Sequence, residues 1–250
     1  MNKEKKCLKN APIKEVIIGI SSDELFKSFE DIEEFFKNSS LNEKFKPIQE
    51  LKRFALEMNG KDAKFNKTIS IGKGYENKNK SERINIELDR IMFIDRSKYT
   101  NFKTLSNKFY LILEEIFKFK KCTIKTNDIG LKYTNVFDFT NDKLKEKFYI
   151  KPIMSYTNSE NKIYGKQLNS AFMSQIQSTE YNNAYAIIQT VISKISGDKY
   201  KIIFDIDTHT HNIEIQDVNS FKKEILKLKE FKNEIFFSNF DNAYTIEEFN

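Results

Sequence analysis

The amino-acid sequence predicts an α+β fold in which antiparallel sheets are backed by long amphipathic helices, as two similar halves or as one continuous domain. Residues 129–139 alternate apolar and polar side chains with a period of two, the pattern of a half-buried strand. Apolar residues recur every three or four positions over 102–118 and 220–237, which is typical of amphipathic helices. Strand-like segments precede both helices, and strands grouped before helices are typical of α+β proteins.

The central strand contains one residue that breaks its apolar row. Asn135 shares a face with apolar residues such as Leu131, Tyr133 and Phe137. A buried amide without hydrogen-bond partners costs roughly 1–3 kcal/mol, so Asn135 needs a partner. Two interpretations remain open: the amide bonds to a neighbouring strand end or bulge, or it faces a cavity or a binding partner.

The N-terminal half begins with a basic tail at residues 1–9. Ser21 and Glu24 have the spacing of a capping box, which predicts a helix over 21–37. Apolar spacing predicts a second helix over 47–58. The other predicted elements are a strand at 11–20, a strand at 65–71, a Gly-, Lys- and Asn-rich loop at 72–82, strands at 83–88 and 91–95, and the helix at 102–118 with Thr100 as its cap.

The charged segment 141–147 is the predicted boundary between an N-terminal half, residues 1–140, and a C-terminal half, residues 148–250. Residues 184–195 fit a strand, although a helical period fits them nearly as well, so both interpretations remain open. Each half places strands before one long helix, which favours a structural duplication without sequence identity. The predicted elements of this half are strands at 148–156, 167–178, 184–196 and 200–208, and the helix at 220–237.

Length and composition indicate a folded protein of the reducing cytoplasm. A chain of 250 residues buries roughly 70–75 per cent of its unfolded surface, and 23 Phe with 11 Tyr provide large core side chains. The two cysteines, Cys7 and Cys122, fit a reducing cytosol. We expect neither a transmembrane helix nor a signal peptide, because no long apolar run is present. Nucleotide-binding and serine-hydrolase motifs are also absent from the sequence.

The net charge of +6 and an isoelectric point near 9.0 raise the hypothesis of nucleic-acid binding. Almost all the basic residues are lysines, although arginine has the planar fork that recognises phosphates and bases best. The hypothesis therefore depends on the basic N-terminus and on the loop at 72–82. Its candidate contacts are Lys73, Lys78 and Lys80.

The one group of ligand-type residues lies in segment 205–211. On a strand, Asp205, Asp207, His209 and His211 share one face, about 6–7 Å apart along the chain. Imidazole and carboxylate groups bind divalent metals, so Asp207, His209 and His211 are the candidate ligands of a metal-dependent hydrolase or nuclease. The competing interpretation is a solvated strand face, because ligands in a row do not surround an ion.

Three short segments carry a resemblance that spans the chain. They are LKNAPIKEV at residues 8–16, LKYTN at 131–135 and EIFF at 234–237. These segments resemble a sporadically distributed family of cytosolic bacterial proteins without established activity, which open on an Asn-Ala-Pro strand and carry a central Tyr-x-Asn strand. The family usually has Arg before the Tyr, and Lys132 at that position lacks the bidentate fork of Arg. The patchy distribution of the family implies a role in bacterial defence, including antiviral defence, or in a toxin-related system.

The leading hypothesis is a non-enzymatic cytosolic binding protein without a cofactor. It is based on the absence of a catalytic signature in a well-packed chain and on the resemblance. Its candidate binding residues are Lys132, Tyr133 and Asn135. Its expected partner is another protein or a second copy of the chain. The alternatives are the metal-dependent hydrolase or nuclease and the nucleic-acid-binding protein.

Overall fold

The computed structural model describes residues 11–23, 25–59, 62–140, 169–181, 183–197 and 199–239. Within these ranges the chain forms a nine-stranded sheet and four helices, which confirms the α+β class. All neighbouring strands are antiparallel and belong to a single sheet rather than to several. The strands are β1 Ile13–Ser21, β2 Phe45–Asn59, β3 Asp62–Asn77, β4 Glu82–Glu87, β5 Arg90–Asp95, β6 Ile124–Thr140, β7 Asn169–Gln177, β8 Ala184–Ser196 and β9 Lys199–Ile215.

Four helices accompany the sheet: α1 Phe29–Asn38, α2 Leu41–Lys44, α3 Phe102–Lys120 and α4 Val218–Ser238. The N-cap of α3 is Asn101 rather than the predicted Thr100, because the Asn101 side chain accepts a hydrogen bond from the Thr104 N–H at 2.8 Å. Asp217 and Ser220 form a capping box at the start of α4. No helix in the described part of the chain combines the length and apolar character that a membrane crossing requires.

The strands follow the order β2-β3-β4-β5-β1-β6-β9-β8-β7 across the sheet. β1 pairs with β5 and with β6. β6 ends at Thr140 and pairs with β9, so strands from before and after the predicted boundary share one sheet. The predicted boundary at 141–147 and the predicted strand at 148–156 lie outside the described residues.

One face of the sheet carries the hydrophobic core. The strand register aligns Ile18 of β1 with Leu131 of β6, and Tyr133 of β6 with Ile206 of β9. All four side chains are almost completely buried. α1, α3 and α4 pack their apolar residues into the same two clusters, so these helices cover this face. The predicted burial of the apolar face of this strand, including Leu131 and Phe137, is therefore confirmed.

The opposite face carries a different set of side chains, and we call it the open face. One row of neighbouring residues across it is Ile17, Lys132, Asp207 and Ile187, on β1, β6, β9 and β8. These side chains are only partly buried. Since the side chains of a strand alternate between faces, every second residue of the central strands belongs to the open face.

The predicted helix at 47–58 is wrong, because these residues lie in β2. β2 pairs with β3 along its whole length, and this non-local pairing overrides the local helical spacing of apolar residues. Pro47 is compatible with the strand for two reasons. β2 lies at one end of the sheet, and the register with β3 shifts between Pro47 and Gln49. Proline, which has no backbone N–H to donate, is tolerated at such edge and bulge positions.

The start of the first helix was also predicted incorrectly. Ser21 is the last residue of β1 and pairs with Arg90 and Asp128, so it does not cap a helix. α1 begins eight positions later, where the Ser28 hydroxyl accepts a hydrogen bond from the Asp31 N–H at 3.3 Å. Glu24, the other member of the predicted capping box, lies outside the described residues.

Much of the predicted loop at 72–82 is strand. β3 continues to Asn77, and only a short turn separates it from β4. A Cβ atom at Gly72 would lie 2.1 Å from the carbonyl oxygen of Ile86, so the glycine permits a close approach of two strands. The glycine that suggested a loop in the sequence is thus required by close strand pairing.

The ambiguous segment at 184–195 is a strand, since it forms most of β8.

Candidate functional site

The predicted row of acidic and imidazole side chains on β9 lies on the open face. The side chains of Asp205, Asp207, His209 and His211 are partly buried. The alternate residues of β9, Ile206, Thr208 and Thr210, are buried and face the core. The prediction that these four residues share one face is therefore correct. Their neighbours on β6 and β8, which the sequence did not indicate, determine what the row can do.

His209 is held between two carboxylates. Its Nδ1 donates a hydrogen bond to Asp128 Oδ2 at 2.9 Å. Its Nε2 lies 2.9 Å from Asp207 Oδ1, which is an ion-pair distance, although the direction does not suit a hydrogen bond. Burial alone would lower the pKa of His209, but Asp128 and Asp207 outweigh it and raise the pKa to about 9. The imidazole is therefore protonated at neutral pH.

Aromatic and glycine neighbours fix the position of the His209 ring. Tyr185 of β8 stacks on the rings of both His209 and His211, with centroid distances of 5.0 and 4.8 Å. A Cβ atom at Gly130 would lie 3.4 Å from the His209 ring, an ordinary contact distance, so the ring lies directly over Gly130 of β6. We call Asp128, Tyr185, Asp207, His209 and His211 the His209 cluster.

The His209 cluster is not arranged around an ion. A protonated imidazole has no lone pair for a metal, and both ring nitrogens of His209 already face carboxylates. His211 Nδ1 lies 3.2 Å from the carbonyl oxygen of Asn127, so this nitrogen is also engaged. Among the described residues, no group of three His, Cys, Asp or Glu side chains can surround a metal ion. The proposed ligand set of Asp207, His209 and His211 stays a prediction, and this geometry does not add support to it.

Three polar atoms on the open face are buried without a hydrogen-bond partner in the described part of the chain: Asp128 Oδ1, Asp205 Oδ1 and His209 Nε2. The other oxygen of Asp205 pairs with Lys132 Nζ at 3.0 Å. Buried polar atoms without partners are rare in folded proteins, and they often mark sites that meet a ligand. The open face therefore contains unused hydrogen-bonding capacity.

No protein-family model matches the chain, and no curated protein matches it either. The assignment of a function therefore depends on the geometry of the sites described here.

The three candidate binding residues of β6 lie on opposite faces of the sheet. Tyr133 and Asn135 are buried on the core face, whereas Lys132 lies on the open face. Asn135 Nδ2 donates a hydrogen bond to the carbonyl oxygen of Phe204 at 3.0 Å, so the amide bonds to the neighbouring strand β9. Asn135 thus bonds to a neighbouring strand, as in the first interpretation, although Phe204 lies within β9 rather than at a strand end or bulge. The three residues do not form one binding surface.

The candidate nucleic-acid residues are also separated. Lys73 lies within β3, and its ammonium group pairs with Glu33 of α1. Lys78 and Lys80 are exposed in the turn between β3 and β4, about 15 Å or more along the strand from Lys73. Nucleic-acid binding through these residues stays a prediction, with an affinity that falls steeply as salt concentration rises.

The core contains a lysine that is not among the predicted site residues. Lys232 of α4 is buried, and its Nζ lies 4.0 Å from the ring centroid of Tyr133. Burial, with a smaller effect of Lys229, lowers the pKa of Lys232 to about 7. In the sequence, Phe231 and Lys232 compete for the inward position of the helix, and both prove to be buried.

We expect the imidazole of His209 to titrate at about pH 9, because Asp128 and Asp207 stabilise its protonated form. NMR spectra of the ring nitrogens can measure this value, with the His209→Gln variant used to assign the signal. In the variants Asp128→Asn and Asp207→Asn we expect the pKa to fall. A titration of His209 near its ordinary value of 6.5 would contradict the ion-paired geometry.

Proposed function

We propose that this chain is a non-enzymatic binding protein that docks a protein partner on the open face of its sheet. The observation that supports the proposal most strongly is a pair of buried carboxylate oxygens on this face, Asp128 Oδ1 and Asp205 Oδ1, neither of which accepts a hydrogen bond from a described residue. The nearest cation-forming group to Asp128 Oδ1 is His211 Nδ1, at an ion-pair distance of 3.5 Å. Each such acceptor costs about 1–3 kcal/mol when it is left unpaired. A partner that brings hydrogen-bond donors to the open face would recover part of this free energy.

The surroundings of the two carboxylates resemble the composition of a protein interface. Ile17, Ile187 and Ile203 lie on the open face and are partly buried. Protein interfaces combine apolar side chains with a small number of well-placed polar groups. The two cations beside these carboxylates are already paired, Lys132 with Asp205 and His209 with Asp128, so a partner does not have to neutralise them.

The balance of charge on the open face defines the chemistry of the partner. Within the group formed by the His209 cluster, Asp205 and Lys132, the three carboxylates of Asp128, Asp205 and Asp207 face the two cations Lys132 and protonated His209, which leaves one negative charge in excess. A lysine or arginine of the partner supplies both the opposite charge and the missing donors. We therefore infer that the partner presents an apolar surface with a basic side chain directed at Asp128.

The geometry of the His209 cluster favours binding over catalysis. A general base works best with a pKa near the operating pH, whereas His209 is protonated below about pH 9 and has a carboxylate at each nitrogen. Tyr185, the remaining polar neighbour, stacks on both imidazole rings. These contacts stabilise a fixed arrangement of charges, which is what a recognition surface needs.

The resemblance of residues 8–16, 131–135 and 234–237 supports a bacterial setting for this function. On that basis we propose that the protein acts in the cytoplasm, in a defence or toxin-related system. We further propose that its two parts are similar halves of a duplication. The support for this is that each half places strands before one long helix, α3 in the first half and α4 in the second.

The experiment compares partner binding by two pairs of variants. The tagged chain is used to capture proteins from cell extract, and a captured protein is then purified and titrated by calorimetry. We expect Ile187→Lys and Asp128→Asn to weaken its affinity about 10-fold or more, because each removes a contact from the centre of the surface. The matched control is Leu226→Lys, an equally bulky change at an exposed position of α4, which should leave the affinity unchanged.

Two results would overturn the proposal. One is that none of the captured proteins, once purified, binds the chain at micromolar concentration. The other is a partner whose affinity is the same for Ile187→Lys, Asp128→Asn and the unmodified chain. Equal weakening by Leu226→Lys would place the binding surface on the helical side and would also contradict the proposal.

A further inference from the structure

The outermost described strand, β7, carries none of the sequence features that normally protect a sheet edge. Its sequence, NSAFMSQIQ, contains no charged residue and no proline. It pairs with β8 over nine consecutive residues without a register shift, so no bulge interrupts it. Among the described residues, β8 is its only neighbouring strand. Within the described ranges, its other edge therefore presents backbone N–H and C=O groups that no strand pairs with.

The strand at the opposite end of the sheet is protected by contrast. β2 contains Pro47, several charged side chains and three register shifts against β3. Charges, prolines and bulges are the devices that prevent edge-to-edge association. The difference between the two ends indicates that β7 is the edge at which another strand can pair with the sheet.

The side chains of β7 agree with this interpretation. Met173 is 77% exposed and Ile176 is 42% exposed. Exposed apolar residues on an unprotected edge strand favour strand addition, in which backbone hydrogen bonds provide affinity and side chains provide register.

We propose that β7 pairs antiparallel with β7 of a second copy of this chain, so that the two nine-stranded sheets join into one across a two-fold axis. In a strand paired with its own copy, any charged residue near the centre meets a like charge, which is destabilising. β7 has no charge anywhere, so self-pairing meets no such repulsion. This absence of charge is the observation that selects a second copy over a partner of different sequence.

The register of the pair follows from the same symmetry. Met173 is the central residue of β7, and a two-fold axis beside it aligns all nine residues of both strands. Met173 then faces Met173 of the second copy, and Ala171 faces Gln175. Pairing with β8 places these residues beside Val191, Gln189 and Ile187 of the open face. The open faces of the two copies would therefore form one continuous surface.

The inference does not depend on the proposed function, because β7 pairing concerns an edge rather than a face. Loss of the dimer leaves the docking surface at Ile187 and Asp128 in place. Loss of partner binding in Asp128→Asn leaves β7 in place. The two proposals can therefore fail separately.

Sedimentation equilibrium of the purified chain tests the inference. We expect a dimer, and we expect Met173→Lys to raise its dissociation constant at least about tenfold, because two ammonium groups would face each other across the axis. The matched control is Ile48→Lys on the protected edge strand β2, where the isoleucine is also exposed. The control should dimerise like the unmodified chain. A chain that stays monomeric at about 100 μM would overturn the proposal, as would equal effects of the two variants.

A crosslink tests the register. In a chain with Cys7→Ser and Cys122→Ser, the Met173→Cys variant should form an intermolecular disulfide readily, because directly opposite Cβ atoms lie about 4.5–5.5 Å apart. Gln177→Cys is the control, because its counterpart in the second copy would be roughly 27 Å away along the strand. Faster crosslinking of Gln177→Cys, or none for Met173→Cys, would contradict the two-fold pairing.

Discussion

Replacing Lys232 by methionine is expected to stabilise the protein by about 2–3 kcal/mol at pH 6. Lys232 is buried in α4 above Tyr133, and burial lowers its pKa from 10.5 to about 7. That shift corresponds to at most about 5 kcal/mol between the charged and neutral forms. The ring of Tyr133 favours the ammonium form and offsets about 2 kcal/mol of this cost. Methionine fills similar space without a charge to desolvate.

The gain should depend on pH with a defined sign. Because the folded-state pKa of Lys232 is lower than the unfolded value, the folded protein binds fewer protons between about pH 7 and 10.5. The cost of Lys232 is therefore complete below pH 7 and declines as the pH rises through this window. Denaturation by urea at pH 6 and pH 10 measures the difference, with exposed Lys223→Met on the same helix as the control. A Lys232→Met variant that loses stability, or a gain that is larger at pH 10, would contradict the buried position.

Replacing Leu131 by alanine is expected to destabilise the protein by about 3–5 kcal/mol. Leu131 is 0% exposed and belongs to the main core cluster, beneath the helices that cover β1 and β6. Truncation removes the transfer free energy of the side chain and leaves a cavity that close-packed neighbours cannot fill. Chemical denaturation compares the free energy of unfolding of the variant with that of the unmodified chain.

The adjacent residue provides the matched control. Lys132 lies on the open face, where its ammonium group pairs with Asp205 and remains partly exposed. We expect Lys132→Ala to cost less than about 1 kcal/mol, since solvent screens a pair of this kind. Similar losses for Leu131→Ala and Lys132→Ala would mean that both faces of β6 are buried, which contradicts the assignment of an open face.

The central strand could be predicted from the sequence because its signal is local. The alternation of apolar and polar residues over 129–139 depends only on which face each residue occupies. β2 could not be predicted in this way, because its residues have helical spacing and become a strand only through pairing with β3. The prediction of a loop at Gly72 was wrong for a related reason, since the close contact of Gly72 with Ile86 involves another strand.

The candidate site could be predicted in part for the same reason. The shared face of Asp207, His209 and His211 follows from alternation along one strand. Asp128 and Tyr185 come from β6 and β8, and only the register of three strands brings them to His209. The charge state of His209 therefore could not be predicted from the sequence, because its pKa depends on carboxylates that include Asp128 of the neighbouring strand.

The central claim is that the sheet has one covered face and one open face, and thiol labelling of β8 tests it most directly. Two variants are made in a chain with Cys7→Ser and Cys122→Ser, so that each has a single thiol. Ile188→Cys places the thiol on the covered face of the sheet, and Gln189→Cys places it on the open face. Ile188 is buried and Gln189 is exposed, so Gln189→Cys should react with a thiol reagent in the native state at a rate close to that of the denatured chain. Ile188→Cys should react only after unfolding. Protection of Gln189→Cys, or rapid reaction of Ile188→Cys in the native protein, would contradict the account.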